Sequence, residues 1–268
     1  DLEQAEGWAK VASAHAAAER FAEAAPLYER ALELDPAHFE ARIGLAICRE
    51  RLGDFLAAET HYKAAIELRP TFAEIYYNLG YLYQQQRLYQ NAALQYEKAL
   101  EIKPKFIGAL ANLGWVWDRL HDPGKAVEIY QRALSIKPDE VPIYVRLGAS
   151  YMSMSQYEDA RSAYERAMSL GDERPSVLHD LGIISEHEGA LEAARGYFRR
   201  ALQLQPRASE THFHLAGVMD RLGDRVGAEV HFRRAISLDP DDAGAHYGLA
   251  QMLFAEGRGE EGQALLKI

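Results

Sequence analysis

The sequence is poor in the features that define several other classes of protein. It contains 1 cysteine, which excludes a disulfide framework and a cysteine-based zinc site. It has no apolar run near the ~20 residues that cross a bilayer, so we expect no direct membrane insertion. No secretory signal stands at its start, and a cytoplasmic location is the expectation. Basic residues number 30 against 40 acidic ones, which argues against nucleic acid as a partner.

Motifs of catalysis and of cofactor binding are also missing. The chain has no P-loop, no H-E-x-x-H and no G-x-S-x-G. Gly257, Gly259 and Gly262 have the spacing G-x-G-x-x-G, but a predicted helix precedes them where a dinucleotide site requires a strand. We therefore predict a protein that is not an enzyme and has no cofactor.

Histidines are the remaining candidates for a metal site, since the chain has 10 of them. His179 and His214 can face each other near Asp180, but these three residues do not make a proper ligand set. No metal-binding residue is predicted. Cys48 is expected to be a small buried residue and not a nucleophile.

A repeat of 34 residues fills the chain, and proline marks it. The prolines at this interval are Pro36, Pro70, Pro104, Pro138, Pro206 and Pro240, with Asp172 at the one position that breaks the series. We number each repeat so that this residue stands at position 32. Seven full repeats then occupy residues 5–38, 39–72, 73–106, 107–140, 141–174, 175–208 and 209–242, and a partial eighth occupies 243–268. The prediction is a single domain made of repeats.

Each repeat is predicted to form two helices. Position 8 is alanine or glycine throughout, positions 20 and 27 are alanine in the seven full repeats, and position 24 is tyrosine or phenylalanine. Apolar residues recur at helical spacing within positions 1–14 and 18–31. Small residues let the paired helices approach closely, and neighbouring pairs must stack to bury their second apolar face. The sequence thus predicts an all-α solenoid.

These positions resemble the tetratricopeptide repeat (TPR) family, whose pattern is W-x2-L-G-x2-Y, then A-x3-F, A and P. Repeat 4 shows it as Leu110, Leu113, Gly114, Trp117, Ala126, Tyr130, Ala133 and Pro138. The resemblance covers nearly the whole chain. It implies a right-handed superhelix with a concave groove lined by the first helices, and a role in binding other proteins.

In the family, positions 2, 5, 6, 9, 12 and 13 face the groove, and the resemblance transfers this expectation to the chain. Trp115 is the best single anchor for a partner, because aromatic rings dominate many interfaces. Arg119 follows an acid and is expected to be paired within the protein. The residues expected to contact a peptide or helix are Ile43, Ile47, Tyr77, Asn78, Tyr81, Asn112, Trp115, Arg119, Val145 and Arg146.

Two more specific resemblances concern single residues of the groove. Asn78 and Asn112 lie 34 residues apart and look like the asparagine ladder of O-linked N-acetylglucosamine transferases, which would make the chain a substrate-recognition or regulatory region of a larger enzyme. The ladder stops at two rungs. Of the carboxylate clamp of chaperone-binding TPR domains, only Asn112 and Arg146 match, which leaves a single anion contact at Arg146.

The leading prediction is a non-catalytic scaffold that binds a segment of another protein in the groove. Acids repeat at position 2 as Glu6, Glu40, Glu74 and Glu210, so a segment with basic and apolar residues fits best. A third alternative is a self-assembling scaffold, because the surface from Leu265 to Ile268 lacks a following repeat. Such an end is also expected if the native chain continues past it or if this end packs on a partner. The start at Asp1 in place of Met is a separate sign that the chain was processed or cut from something longer.

Overall fold

The computed structural model describes residues 2–266, and within this range it contains helices and turns but no strand. The helices alternate between the first and the second helix of successive repeats. They are α1 Leu2–Ala17, α2 Phe21–Leu34, α3 Phe39–Arg51, α4 Phe55–Leu68, α5 Ala73–Gln85, α6 Tyr89–Ile102, α7 Ile107–Arg119, α8 Pro123–Ile136, α9 Val141–Ser153, α10 Tyr157–Ser169, α11 Pro175–His187, α12 Leu191–Leu204, α13 Ser209–Arg221, α14 Arg225–Leu238, α15 Ala243–Ala255 and α16 Gly259–Leu265. Among these helices, none has the length and apolarity needed to cross a membrane.

The helices begin and end at nearly the same positions in each repeat. In repeat 2, α3 and α4 occupy positions 1–13 and 17–30, so the second helix lies one residue earlier than the apolar pattern suggests. Pro70 stands two residues after Leu68, where it cannot disturb the last turn. The side chain of Asp54 caps the start of α4 by accepting a hydrogen bond from the Ala57 N–H at 3.2 Å.

The turn between the two helices places one residue in the left-handed region. Gly53 has a φ of 81° there, and other repeats use glycine in the same way. Arg87 and His121 occupy the equivalent place with a φ of 60° each. Non-glycine residues adopt this conformation at an energetic cost of about 1–2 kcal/mol.

Alanines and aromatic rings form the interior of each helix pair. Ala58, Ala65 and the Tyr62 ring are fully buried, and the corresponding residues of the other full repeats are buried as well. The small side chains let the helices approach, and the ring fills the remaining space. Cys48 is also fully buried, and this burial raises the pKa of its thiol to about 11. The fold is an all-α solenoid, which confirms the prediction.

The contacts between helices group the chain into two units, with the division between Met154 and Ser155. A cluster at the start of the first unit surrounds Tyr28 and Ala31. A larger cluster in the second unit surrounds Phe198 and Phe232. That the repeats form a single domain stays a prediction.

The missing proline of repeat 5 is replaced by a local turn. Gly171 follows the end of α10 with a φ of 94°, and Pro175 stands in the first turn of α11. Asp172 is buried and accepts hydrogen bonds from the backbone N–H of Arg174 at 2.8 Å and from its Nε at 2.6 Å. The guanidinium of Arg174 lowers the pKa of this carboxyl.

The last helix leaves apolar surface exposed. Leu266 is half exposed, and Leu265 and Leu266 line a cleft with Tyr247. Ile268, which the sequence predicts on the same surface, lies outside the described residues. Self-assembly through this end stays a prediction.

Candidate functional site

The tyrosine at position 24 connects the interior to the first helices, which the resemblance assigns to the groove. Its hydroxyl donates to the side chain at position 12 of the same repeat. The pairs are Tyr62–Glu50 at 2.9 Å, Tyr96–Gln84 at 2.8 Å and Tyr130–Asp118 at 2.9 Å. The side chain at position 12 therefore already has a hydrogen-bond partner inside the protein in these three repeats.

Position 6 of the next repeat meets the same ring. Asn112 donates from Nδ2 to the hydroxyls of Tyr96 and Tyr77, each at 3.3 Å. Asp180 accepts from the Tyr164 hydroxyl at 2.6 Å. In these two cases, the side chain at position 6 forms a hydrogen bond with the buried tyrosine of the preceding repeat.

This contact removes one rung of the proposed asparagine ladder. Asn112 uses its amide N–H groups inside the protein, where the ladder would need them for the backbone of a ligand. Asn78, the other rung, is partly exposed on α5. The two amides are therefore not equivalent, although they share a repeat position.

The groove aromatics pack on neighbouring rings more than the sequence predicts. Tyr77 lies 4.9 Å from Phe106 between ring centroids, and Trp115 makes an edge contact with Tyr89 at 5.7 Å. Of the six large groove residues, only Tyr81 has an exposed side chain, at 42% exposure. The remaining five are partly buried, namely Ile43, Ile47, Tyr77, Trp115 and Val145.

Arg119 lies over aromatic rings. Its guanidinium carbon is 5.9 Å from the Trp115 ring centroid and 5.8 Å from that of Tyr89. Such contacts stabilise a cation by the electrostatics of the ring face. Asp118, the acid before it, accepts instead from Tyr130 and from Ser150 Oγ. The expected pairing of Arg119 with an acid is thus replaced by cation–π contacts.

Trp115 and Arg146, the two residues singled out from repeats 4 and 5, line one cleft. Its volume is about 470 Å³. The lining residues are Trp115, Asp118, His121, Pro123, Arg146, Ala149, Ser150 and Ser153. They come from α7, from the turn after it, from the start of α8 and from α9.

A polar network fixes the floor of this cleft. Asp118 accepts hydrogen bonds from the Ser150 hydroxyl at 2.7 Å and from the Tyr130 hydroxyl at 2.9 Å. Burial raises the pKa of the Asp118 carboxyl, while these hydrogen bonds and the charge of Arg146 oppose the rise. The cleft therefore offers an apolar wall beside a guanidinium and a carboxyl that is already hydrogen-bonded.

Of the eight lining residues, only Trp115 and Arg146 are among the predicted contact residues. Asp118, Ala149 and Ser153 stand at groove positions but were not singled out. His121, Pro123 and Ser150 lie outside the groove positions. His121 stands at the turn position that is glycine in four repeats and a larger residue in the other four, so its repeat position gave no signal that it lines a cleft. Pro123 starts α8 next to it. Ser150 was not predicted because its repeat position is normally assigned to packing. Its side chain is indeed buried.

Two of the four acids at position 2 are paired with a basic residue at the end of the same repeat. Glu40 lies 3.2 Å from Arg69, and Glu74 lies 2.7 Å from Lys103. The hydrogen bond from Lys103 lowers the pKa of Glu74. These pairs are exposed and weak, but they reduce the negative charge that a basic ligand would meet.

Solved structures show the same fold. The C-terminal part of a TPR repeat-containing protein from Cytophaga hutchinsonii matches with a TM-score of 0.76 at 15% identity, covering 90% of this chain and 99% of that one. PilF of Pseudomonas aeruginosa matches with a TM-score of 0.64 at 19% identity over 76% of this chain and 93% of that one. MamA from Desulfovibrio magneticus has a TM-score of 0.60 at 20% identity over 64% of this chain and 97% of that one.

Sequence comparison gives the family. No curated protein sequence matches the chain at a significant level. Models described as tetratricopeptide repeat match residues 11–71, 73–106, 107–140, 145–209 and 221–268. Proteins with this repeat generally bind protein partners and are typically non-catalytic scaffolds for interactions. The chain belongs to the tetratricopeptide repeat family.

Proposed function

We propose that the chain is a non-catalytic scaffold that binds a segment of another protein along its first helices, with the cleft at Trp115 and Arg146 as the main contact. The observation that supports this most directly is the cleft itself. Its volume of about 470 Å³ is within the range of roughly 300–1,000 Å³ that is common for ligand sites. It also combines an aromatic wall with a small number of polar groups, as such sites usually do.

The lining indicates the chemistry of the bound segment. Trp115, Pro123 and Ala149 give an apolar wall on which an aliphatic or aromatic side chain of the partner can pack. Arg146 can donate to a backbone carbonyl or to a carboxylate of the same segment. We therefore propose an apolar anchor residue with a hydrogen-bond acceptor close to it.

The cleft needs little rearrangement to bind. Asp118 is held by Ser150 and Tyr130, and these two residues are themselves buried. Trp115 is held by its edge contact with Tyr89 and by Arg119. Side chains that are already ordered lose less conformational entropy on binding, which favours affinity.

The remaining groove residues extend the proposed contact toward the start of the chain. Tyr81 and Tyr77 lie on α5, and Ile43 and Ile47 lie on α3. Val145 adds a partly buried apolar side chain from α9, next to Arg146 in the sequence. A basic residue of the partner would contribute less than an apolar one, because Glu40 and Glu74 are already paired and exposed ion pairs add little.

A peptide-display selection tests the proposal and does not require the partner to be identified first. Random peptides are selected on the wild-type protein, and the affinities of the recovered peptides are measured by fluorescence polarisation. Trp115→Ala removes the wall, Arg146→Ala removes the donor, and Ala149→Trp fills the cleft from an exposed position. We expect each change to weaken binding by about 1–3 kcal/mol, or roughly 5- to 150-fold.

Trp8→Ala is the matched control, because it deletes another partly exposed tryptophan of the same unit. It should leave binding unchanged. Circular dichroism confirms that each variant keeps its helical content. If peptides bind all three cleft variants as tightly as the wild type, the cleft is not the binding site.

A further inference from the structure

Three side chains of the second unit bring potential metal ligands together. They are His179 on α11 and Glu210 and His214 on α13. One ligand atom from each residue lies within 4.8 Å of the others. Glu210 and His214 are four residues apart, so they share a face of α13, and His179 comes from the corresponding helix of the preceding repeat.

Hydrogen bonds to the ring nitrogens orient the two imidazoles. His214 Nδ1 lies 3.2 Å from Glu186 Oε2, and a carboxylate can only accept, so this nitrogen carries the proton. The lone pair of the neutral His214 ring is then on Nε2. Arg221 lies 3.3 Å from the other oxygen of Glu186 and holds that carboxylate in place.

His179 is held in a similar way. Its Nδ1 lies 2.9 Å from Thr211 Oγ1, while its Nε2 lies 3.9 Å from Glu210 Oε1. Histidines that bind metals usually donate their second nitrogen to a carboxylate or another polar acceptor, which fixes the tautomer and the ring orientation. His214 has such a partner in the Glu186 carboxylate, and His179 has a hydroxyl at its Nδ1 that can accept a hydrogen bond.

The two imidazoles are packed against other rings, whereas the carboxylate is exposed to solvent. His214 stacks on the buried Phe198 ring at 5.7 Å, and His179 meets the edge of His214 at 5.5 Å. The side chains of His179 and His214 are 13% and 24% exposed, whereas that of Glu210 is 75% exposed. Ligand atoms about 2.0–2.2 Å from a tetrahedral ion lie about 3.4 Å apart. Rotation of Glu210 can therefore close the group around an ion.

We propose that His179, Glu210 and His214 bind one zinc ion. Two imidazoles and one carboxylate suit zinc, whereas calcium and magnesium prefer oxygen ligands alone. A cleft of about 390 Å³ that includes His179 and Glu210 leaves room for a fourth ligand. The sequence predicted no metal, since repeat position gave Glu210 only the role of a groove acid. The site is independent of the Trp115 cleft, which lies in the other unit.

A second histidine pair in the same unit serves as a control. His212 and His231 bring their Nδ1 atoms to 2.8 Å, and His212 Nε2 lies 3.2 Å from the Pro206 carbonyl. Among the described residues, no acidic side chain or cysteine completes a group of three around this pair. We expect it to contribute nothing to tight zinc binding.

The test uses the full chain after treatment with a chelator and dialysis. Titration with Co²⁺ should give the visible absorption bands of a tetrahedral complex at one equivalent, and Zn²⁺ should displace Co²⁺ and abolish these bands. Competition with a chromophoric chelator gives the zinc affinity. Zinc should also raise the melting temperature of the wild type.

Three variants locate the ion. Glu210→Gln and His214→Gln each replace a ligand by a neutral amide, and Glu186→Gln removes the negative charge of the group that accepts from His214. Loss of such a partner typically weakens metal binding by about 10- to 100-fold, and loss of a ligand should weaken it at least as much. His231→Gln should bind zinc like the wild type. Glu210 is so exposed that its replacement leaves folding intact, so this variant decides the outcome if His214→Gln does not fold.

Several results would overturn the proposal. Absence of Co²⁺ bands and of zinc binding in the wild type is one. Wild-type affinity in Glu210→Gln and His214→Gln is another. If His231→Gln loses zinc while Glu210→Gln keeps it, the ion binds at the other histidine pair and the proposed site is wrong.

Discussion

Replacing Gly114 by alanine tests whether a buried tyrosine sets the spacing of the two helices of repeat 4. A Cβ added to Gly114 would lie 2.8 Å from two carbons of the Tyr130 ring and closer still to its Cε1. Carbon atoms in ordinary contact are about 3.5–4.0 Å apart, so the ring must move by about 1 Å. Tyr130 has no free space for this movement, because it is fully buried and its hydroxyl is bonded to Asp118.

The expected cost follows from three contributions. Overpacking a close-packed interior costs about 1–3 kcal/mol. Disturbing the Tyr130–Asp118 hydrogen bond adds about 0.5–1.5 kcal/mol. Alanine returns about 1 kcal/mol, because it is a better helix former than glycine. We expect a net loss of about 1–3 kcal/mol in the free energy of unfolding.

Urea unfolding followed by far-ultraviolet circular dichroism measures this loss. Gly217→Ala is the matched control, since Gly217 lies inside α13 and an added Cβ meets no atom within 4 Å. That variant should gain about 0.5–1 kcal/mol from helix propensity alone. Should Gly114→Ala be as stable as Gly217→Ala, the ring does not set the spacing of the two helices.

Two further predictions concern the charge and the backbone of single residues. Glu50 is buried and accepts hydrogen bonds from Tyr62 and Gln85, and its burial raises the pKa of its carboxyl above 4.5. A raised pKa in the folded state means that the wild type loses stability as the pH rises from 4.5 through the folded-state value. The melting temperature of Glu50→Gln relative to wild type should therefore increase over this pH window, and a constant difference would contradict the reasoning. Arg87→Gly should stabilise the chain by up to about 1 kcal/mol in thermal unfolding, because Arg87 occupies the left-handed region that Gly53 adopts in repeat 2; a loss of stability would show that the Arg87 side chain has a role of its own.

The register of the repeats could be predicted from the sequence, because the residues that set it act on their own helix or helix pair. Proline stops a helix wherever it stands, and alanine at 34-residue intervals marks the same close approach in each pair. The second helices nevertheless begin one residue earlier than the apolar pattern suggests. Asp54, Asp122 and Asp224 cap this start with side-chain hydrogen bonds in three repeats. The second helices of repeats 1, 3, 5 and 6 begin at the same position without a side-chain cap. What all the repeats share is a residue with a positive φ two positions before the helix begins, and an apolar pattern does not describe that turn.

Repeat position predicted which helix carries a residue, but not what its side chain contacts. Asn112 has the predicted place on α7, yet its amide bonds to Tyr77 and Tyr96. Arg119 similarly lies over Trp115 and not beside an acid. A choice of rotamer moves the end of a long side chain by several ångströms, and nearby rings and hydroxyls decide that choice.

The sequence by itself determined the family, the helical solenoid and the set of residues on the first helices. Each of these depends on the spacing of residue types along the chain, which can be read directly from the sequence. Only the tertiary structure decided that Trp115 and Arg146 share a cleft and that Glu210 approaches His179 and His214. These groups join residues of different repeats, and their distances depend on how neighbouring helices pack and how their side chains rotate. The helical periodicity of the sequence does not report how neighbouring helices pack or how their side chains rotate.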